Sequence, residues 1–434
     1  MLGYLLGSIY LIALSGAGEG ISARLSQEQP LADRIAELVT QLDAPQLVDR
    51  QKAEKQLLEL GSPILPHLPS LDDPLSPEVR TRLARIRQTL EKVAARQYLE
   101  ASSITLSGTF SLGEVLTALE KQSGNRLELS ALADAEPTKK LTQPLTVRFE
   151  KLPFWVALDS VLKESQLGRY LFGPERAIVV LSPVDPGNEI PEGAVAYQGP
   201  FRVEALRIEA RRGIARPLAD ELIVQLQVAW EPRLAPVAMY WLVERTQAWD
   251  DISRRLAPLA PGARVELMPS RSGCAVEVPL KLELPPRDSR SLSRLQGAFR
   301  FLIPGWAEKF RFSRWDLRLP QERRVADVLV RLEMARRLQE EVEIEISVRF
   351  QQPYEALESH RTWIFDNPAF LETPDNNRLT PTGYEPTLQL PHQVGIRYRF
   401  PWKEPLDNCT FVYITPVTIV PAEFSFTLGP LPLP

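Results

Sequence analysis

Histidine and cysteine are nearly missing from this chain, with three of one and two of the other in 434 residues. Cys274 and Cys409 have no C-x-x-C spacing, and His67, His360 and His392 are scattered. That excludes a zinc site of the usual ligand spacing and any nucleophile with an imidazole base encoded beside it. No G-x-S-x-G elbow and no G-x-x-x-x-G-K phosphate loop occurs. Charge of one sign is also lacking. The formal net charge is −4 with 24% charged residues, so no global field recruits nucleic acid or an acidic membrane. The arginine pairs at Arg211, Arg254, Arg323 and Arg336 are spread out and have acids nearby, unlike a nucleic-acid stripe. No metal and no organic cofactor is expected.

Glycine is scarce beside proline, 22 against 39. Most of the prolines punctuate strand-like runs in the C-terminal two thirds, which favours short strands and rigid turns over a parallel sheet. Long apolar runs are confined to Leu2–Leu14, followed by Ser15, Gly16 and Ala17. A small-x-small cleavage site after such a run predicts a signal peptide over 1–17. The run lacks a preceding Lys or Arg, so an uncleaved anchor is the alternative. It is shorter than the roughly 20 residues of a full span, and no integral span is expected after signal removal. Export permits a disulfide, but two cysteines make no framework, and buried free thiols are the plainer expectation.

Residues 30–99 read as helical. Ile35, Leu38, Val39 and Leu42 form one stripe, Ala53, Leu57 and Leu58 a second, and Val79, Leu83, Ile86 and Leu90 a third. The phrase LVDRQKAEKQLLELGSPILPHL … SPEVRTRLARI resembles HEAT-like repeats of bacterial proteins, over about one and a half repeats.

Residues 104–182 write strand–helix–strand twice. ITLSGTF, SLGEVLTALEKQSG and NRLELSAL are the first copy; LTVRFEKL, PFWVALDSVLKESQLG and AIVVLSP are the second. Leu116, Leu119, Trp155, Leu158 and Leu162 are its expected core, and Ala133 to Pro144 an inserted loop. Ala157-Leu158-Asp159-Ser160-Val161-Leu162 and Ile178-Val179-Val180 carry a resemblance to the short N-terminal domain of secretins and TonB-dependent receptors. That resemblance implies a periplasmic, protein-contacting module. The pore and the receptor barrel of those families are absent downstream, so neither channel function carries over.

Residues 183–193 read as a linker. Beyond it the apolar period becomes two, strictly so in ELIVQLQVAW and EVEIEISVRF, as in half-buried antiparallel strands. These two strands open similar passages. Trp230 matches Phe350, Trp241 matches Trp363, AVEVPLKLELP matches HQVGIRYRFP, and Phe310 matches Phe424. Two successive β-sandwich domains of one topology, 194–314 and 315–434, are expected. Trp363-Ile364-Phe365-Asp366-Asn367 carries a resemblance to the tail of a group of uncharacterised exported bacterial proteins. The fold class expected overall is multidomain α+β.

Few residues suggest chemistry. Asp250-Asp251 reads as the start of a turn or a helix cap rather than a paired-acid site. Asp375-Asn376-Asn377 reads as a hairpin turn, since an EF-hand loop needs a glycine and a terminal glutamate. Glu341, Glu343 and Glu345 read as the solvated face of a strand. The expectation is a non-enzymatic exported envelope protein that binds envelope protein partners in the periplasm or at the cell surface, without nucleic acid. One alternative is a carbohydrate-binding surface protein, with Trp249, Trp306 and Trp402 as the candidate platform. Another is an enzyme whose site gathers distant carboxylates.

Overall fold

The computed structural model describes residues 31–69, 74–129, 141–183, 191–213, 220–263, 265–269, 272–305, 307–313, 315, 319–338, 340–351, 357, 362–375 and 377–434. The apolar leader expected at 1–17 lies outside them, as do Trp306, His360 and most of the expected loop 133–144. The chain is α+β, mostly strand in several largely antiparallel sheets, with few helices. It divides into two compact units, Met1–Gln97 and Tyr98–Pro434. Among the described residues no helix is long and apolar enough to cross a membrane.

The first unit is helical: α1 (31–41), α2 (Leu47–Leu60) and most of α3 (Pro77–Tyr98). The three apolar stripes meet in one core of Ile35, Leu38, Leu42, Ala53, Leu57, Leu83, Ile86 and Leu90. Gly61 closes α2 at φ 77°, and its N–H returns to the carbonyl of Leu58. Such a backbone favours glycine. Glu54 joins the second helix to the third through Arg82 at 2.8 Å and Arg85 at 2.7 Å.

The second unit opens with β1 (Ser103–Ser111), α4 (Leu112–Ser123), β2 (Leu127–Glu128), β3 (Pro144–Pro153), α5 (Phe154–Glu164), β4 (Leu167–Tyr170) and β5 (Ile178–Pro183). This is the doubled strand–helix–strand. The opening strands β1 and β3 pair antiparallel, the closing strands β2 and β5 pair parallel, and β4 adds to β5. A capping box starts α4. Ser111 Oγ accepts from the Glu114 amide, and the Glu114 carboxylate accepts from the Ser111 amide at 2.8 Å. Leu116, Leu119, Trp155, Leu158 and Leu162 are all buried together.

Strands follow almost without interruption. First come β6 (Val195–Gln198), β7 (Phe201–Arg211), β8 (Glu221–Trp230), β9 (Ala238–Trp241), β10 (Gln247–Asp250), β11 (Arg255–Leu256), β12 (Val265–Leu267), β13 (Ala275–Leu282), β14 (Ser291–Pro304) and β15 (Ala307–Phe312). Then come β16 (Gln321–Val325), β17 (Val328–Leu338), β18 (Glu341–Phe350), β19 (Ala369–Glu372), β20 (Arg378–Leu379), β21 (Gly383–Leu390), β22 (Gln393–Phe400), β23 (Thr410–Pro416), β24 (Ile419–Leu428) and β25 (Leu431–Pro432). One sheet runs β13-β8-β7-β6 and another β16-β17-β18-β22-β21. Each shares a core with a further sheet, built on β14 for the first and on β23 for the second.

The boundary expected between 314 and 315 is crossed in both directions. From the second stretch, β24 and β25 pair with β14; from the first, β15 pairs with β23. The reason lies in Pro304-Gly305. A hairpin there would fold β15 back onto β14, but the chain continues forward, and the Gly305 amide donates to the carbonyl of Thr418 at 2.8 Å. The expected match of Trp241 with Trp363 also fails. Trp241 ends a strand paired to Phe299, whereas Trp363 starts a 3-10 helix, and β19 takes the place beside β23 that β9 takes beside β14.

Candidate functional site

Few charged side chains are fully buried among the described residues, and two of them, Glu231 and Arg202, lie where the α/β module 98–183 meets the sheet of β6, β7, β8 and β13. The first junction is centred on Glu231. It follows Trp230 at the end of β8, and Pro232 then turns the chain, with the Leu234 amide donating to the Glu231 carbonyl at 2.8 Å. The Glu231 carboxylate accepts from the Ser102 amide at 2.8 Å, the Ser102 hydroxyl at 2.5 Å, Asn125 Nδ2 at 3.1 Å and Arg233 Nε at 2.6 Å. Ser102 precedes β1, and Asn125 follows the glycine that closes α4. One carboxylate thus holds both ends of the first strand–helix copy. Arg233 completes the node by donating to the carbonyls of Tyr98 and Glu100.

The second junction is centred on Arg202, whose side chain is 0% exposed. It pairs with Asp159 of α5 at 2.7 Å and with Glu204 at 2.7 Å. Arg169 of β4 closes a quartet, 3.0 Å from Asp159 and 2.7 Å from Glu204. Burial by itself weakens the Arg202 charge, but the two carboxylates outweigh it and hold its pKa above the ordinary arginine range. Tyr197 donates to Asp159 at 2.6 Å. Burial first, then the Asp159 charge, pushes its phenol above the usual range. Trp155 adds a neutral tie, its indole N–H reaching the Pro200 carbonyl at 3.0 Å. Each ion has an opposite charge beside it, as burial demands, while Arg202 Nη2 and Arg169 Nε are buried without a hydrogen-bond partner. Such groups hold surfaces together.

Of the tryptophans singled out from sequence, Trp249 and Trp402 lie in different surroundings. Trp249 lies on β10, part-buried, with the Arg294 guanidinium 4.1 Å from its ring centre. Trp402 packs beside the second core and donates to the Pro405 carbonyl at 3.3 Å. Trp306 is outside the described residues. An open cleft of about 440 Å³ lies beside Tyr240, Trp241, Glu244 and Arg300. Tyr240 is only 4% exposed and Trp241 9%, so neither presents a ring face for stacking.

Other candidates resolve into structure. Asp250 caps a turn, accepting from the Arg254 amide at 2.7 Å and from Ser289 Oγ at 2.8 Å. Glu343 of the acidic row, expected to be solvated, is 4% exposed because Arg336 and Arg399 close over it at 2.6 and 3.3 Å. His67 is exposed, and His392 sits in the turn between β21 and β22. Cys274 and Cys409 are buried and unpaired, and burial pushes their thiols up to about 12 and about 11. Among the described residues no three potential ligands gather to hold a metal ion.

The residues missed from sequence are those of the two junctions. Their partners lie far apart in the chain, as Ser102 does from Glu231, and no local spacing announces them. No family model matches the chain, and no significant match was found among curated proteins.

Proposed function

We propose that this chain is a non-enzymatic exported protein of the bacterial envelope, in which a rigid β body carries an α/β module that contacts a protein partner. The observation that carries this reading is the pair of buried charge junctions. Their charged side chains fix the module to the body, as a scaffold requires. In this reading residues 30–99 are a HEAT-like helical segment and residues 104–182 a module of the secretin N-terminal type. Residues 194–434 form two related sandwiches. Trp249 and Trp402, part-buried and in different surroundings, give the carbohydrate reading no support.

Two experiments test it. N-terminal sequencing of protein recovered from the envelope should find residues up to about 17 removed; an intact Met1 in cytoplasmic protein contradicts export. Photo-crosslinking residues placed in the native host at exposed Thr109 and Arg148 of the β1–β3 ribbon should trap one defined envelope protein. The same residue at exposed Arg349 of the second sheet should not. No adduct at either ribbon position would count against the module as the contact surface.

A further inference from the structure

The strand pairings of residues 194–434 repeat themselves. In the first sheet β7 has 11 residues and β8 has 10; in the second β17 has 11 and β18 has 10. The first residue of the longer strand meets the last of the shorter both times, Phe201 with Trp230 and Val328 with Phe350. A bulge absorbs the extra residue at the same place, between Ala205 and Arg207 opposite Leu226 and Gln225, and between Leu332 and Met334 opposite Ile346 and Glu345. The next strands, β13 and β22, have 8 residues each and the same register. They run from Ala275–Ala229 to Leu282–Leu222, and from Gln393–Arg349 to Phe400–Val342. Even the entry turns agree. Gln198 pairs with Phe201 and Val325 with Val328, and the first turn residue has positive φ in both, Gly199 at 56° and Ala326 at 48°. Two unrelated β domains would have to match in three registers, a bulge and a turn at once. Copies of one repeat match in all of them by descent.

The copies part company at their last strands. The pairing of β14 with β24 runs from Leu295–Leu428 to Pro304–Ile419, and that of β15 with β23 continues it from Ala307–Pro416 to Phe312–Phe411. The register does not slip across Gly305 and Thr418. One antiparallel ribbon therefore passes from one sheet into the other, and each copy sends its final strand across. Phe424, Phe426 and Leu428 fill the first core, while Phe310 and Phe312 fill the second.

We infer that the halves 194–312 and 321–434 are a strand-exchanged pair within one chain, each the obligate partner that completes the other's sheet and core. Alone, either half exposes a bare sheet edge beside apolar core. The covalent link through 313–320, whose Trp315 packs beside the second core, is dispensable once that ribbon has formed.

The test uses the full-length chain with a protease site inserted between Phe312 and Gln321. After cleavage the fragments should elute in native buffer as one particle of the uncut monomer's mass and separate only in denaturant. Fragments that separate in native buffer overturn the inference. A second variant keeps the test decisive where the insertion disturbs folding. Gln296→Cys with Thr427→Cys, directly opposed on the ribbon, should oxidise in the otherwise unaltered chain and yield one crosslinked 296–427 peptide by mass spectrometry. Failure of that pair to crosslink in folded, monomeric protein also overturns it.

Discussion

Arg202 on β7 and Leu329 on β17 hold the same place in two sheets of one register, and so do Glu204 and Arg331. In the first sheet these outward positions lie under the α/β module. Arg202 is fully buried, and Glu204 has a side chain only 12% exposed. In the second sheet Arg331 is 40% exposed, and the outer face is a surface ladder in which Glu345 meets Arg397 at 2.8 Å. The inward faces are alike, with Val203, Leu226 and Val228 buried in one and Val330, Ile346 and Val348 in the other. Register is set by the inward alternation, since a one-residue slip would turn every apolar side chain outward. The outward face is then free to specialise. It takes the fully buried Arg202 under the module and, on the second sheet, pairs with part-exposed arginines such as Glu345–Arg397.

Equal truncations at equivalent core positions give the largest effects. Trp230→Ala and Phe350→Ala should each cost about 3–5 kcal/mol in denaturant unfolding. A loss at one site and almost none at the other would break the equivalence. Next come the outer faces. Arg202→Ala leaves the buried Asp159 and Glu204 to share Arg169 alone and should cost about 3 kcal/mol. Arg331→Ala should change stability by no more than about 0.5 kcal/mol. Similar values for the two would mean that the module does not seal the first face.

Acid titration sharpens the contrast. The hydrogen bond from Arg336, helped by Arg399, holds Glu343 below the usual carboxylate range. Its contribution is therefore present at neutral pH and is lost as pH falls through that lowered value. The equivalent residue in the first sheet is Ile223, which cannot titrate. The melting temperature of Glu343→Gln should lie below the wild type at pH 7, and the gap should close as the pH falls below about 4. A gap independent of pH would remove the ion pair from the account. The smallest effect is at the entry turns. Ala326 carries the positive φ that Gly199 carries in the first copy, so Ala326→Gly should stabilise by up to about 1 kcal/mol in the same unfolding assay.

Much of the fold was legible because apolar period is local. The stripe at Ile35, Leu38, Val39 and Leu42, the doubled strand–helix–strand, and the alternation ending in Trp230 and Phe350 all follow from spacing alone. The strand exchange was not legible. A hairpin and a forward crossing at Pro304-Gly305 have the same residues on either side, and only the distant β24 decides between them. The cover over the first sheet was equally hidden. Arg202 and Glu204 alternate with apolar neighbours like any solvated pair, and their burial comes from Asp159 and Arg169 in another module. Glu343 misled for a related reason, because the arginines that close over it sit on neighbouring strands.

The module and the body should behave as one rigid piece, held by the Glu231 and Arg202 junctions. Hydrogen–deuterium exchange of the whole chain tests it most directly, with the amides of α5 compared with those of β8 under native conditions. Both should open with the same free energy in the wild type, and Arg202→Ala should let α5 exchange faster while β8 stays protected. Independent, faster exchange of α5 in the wild type would contradict it.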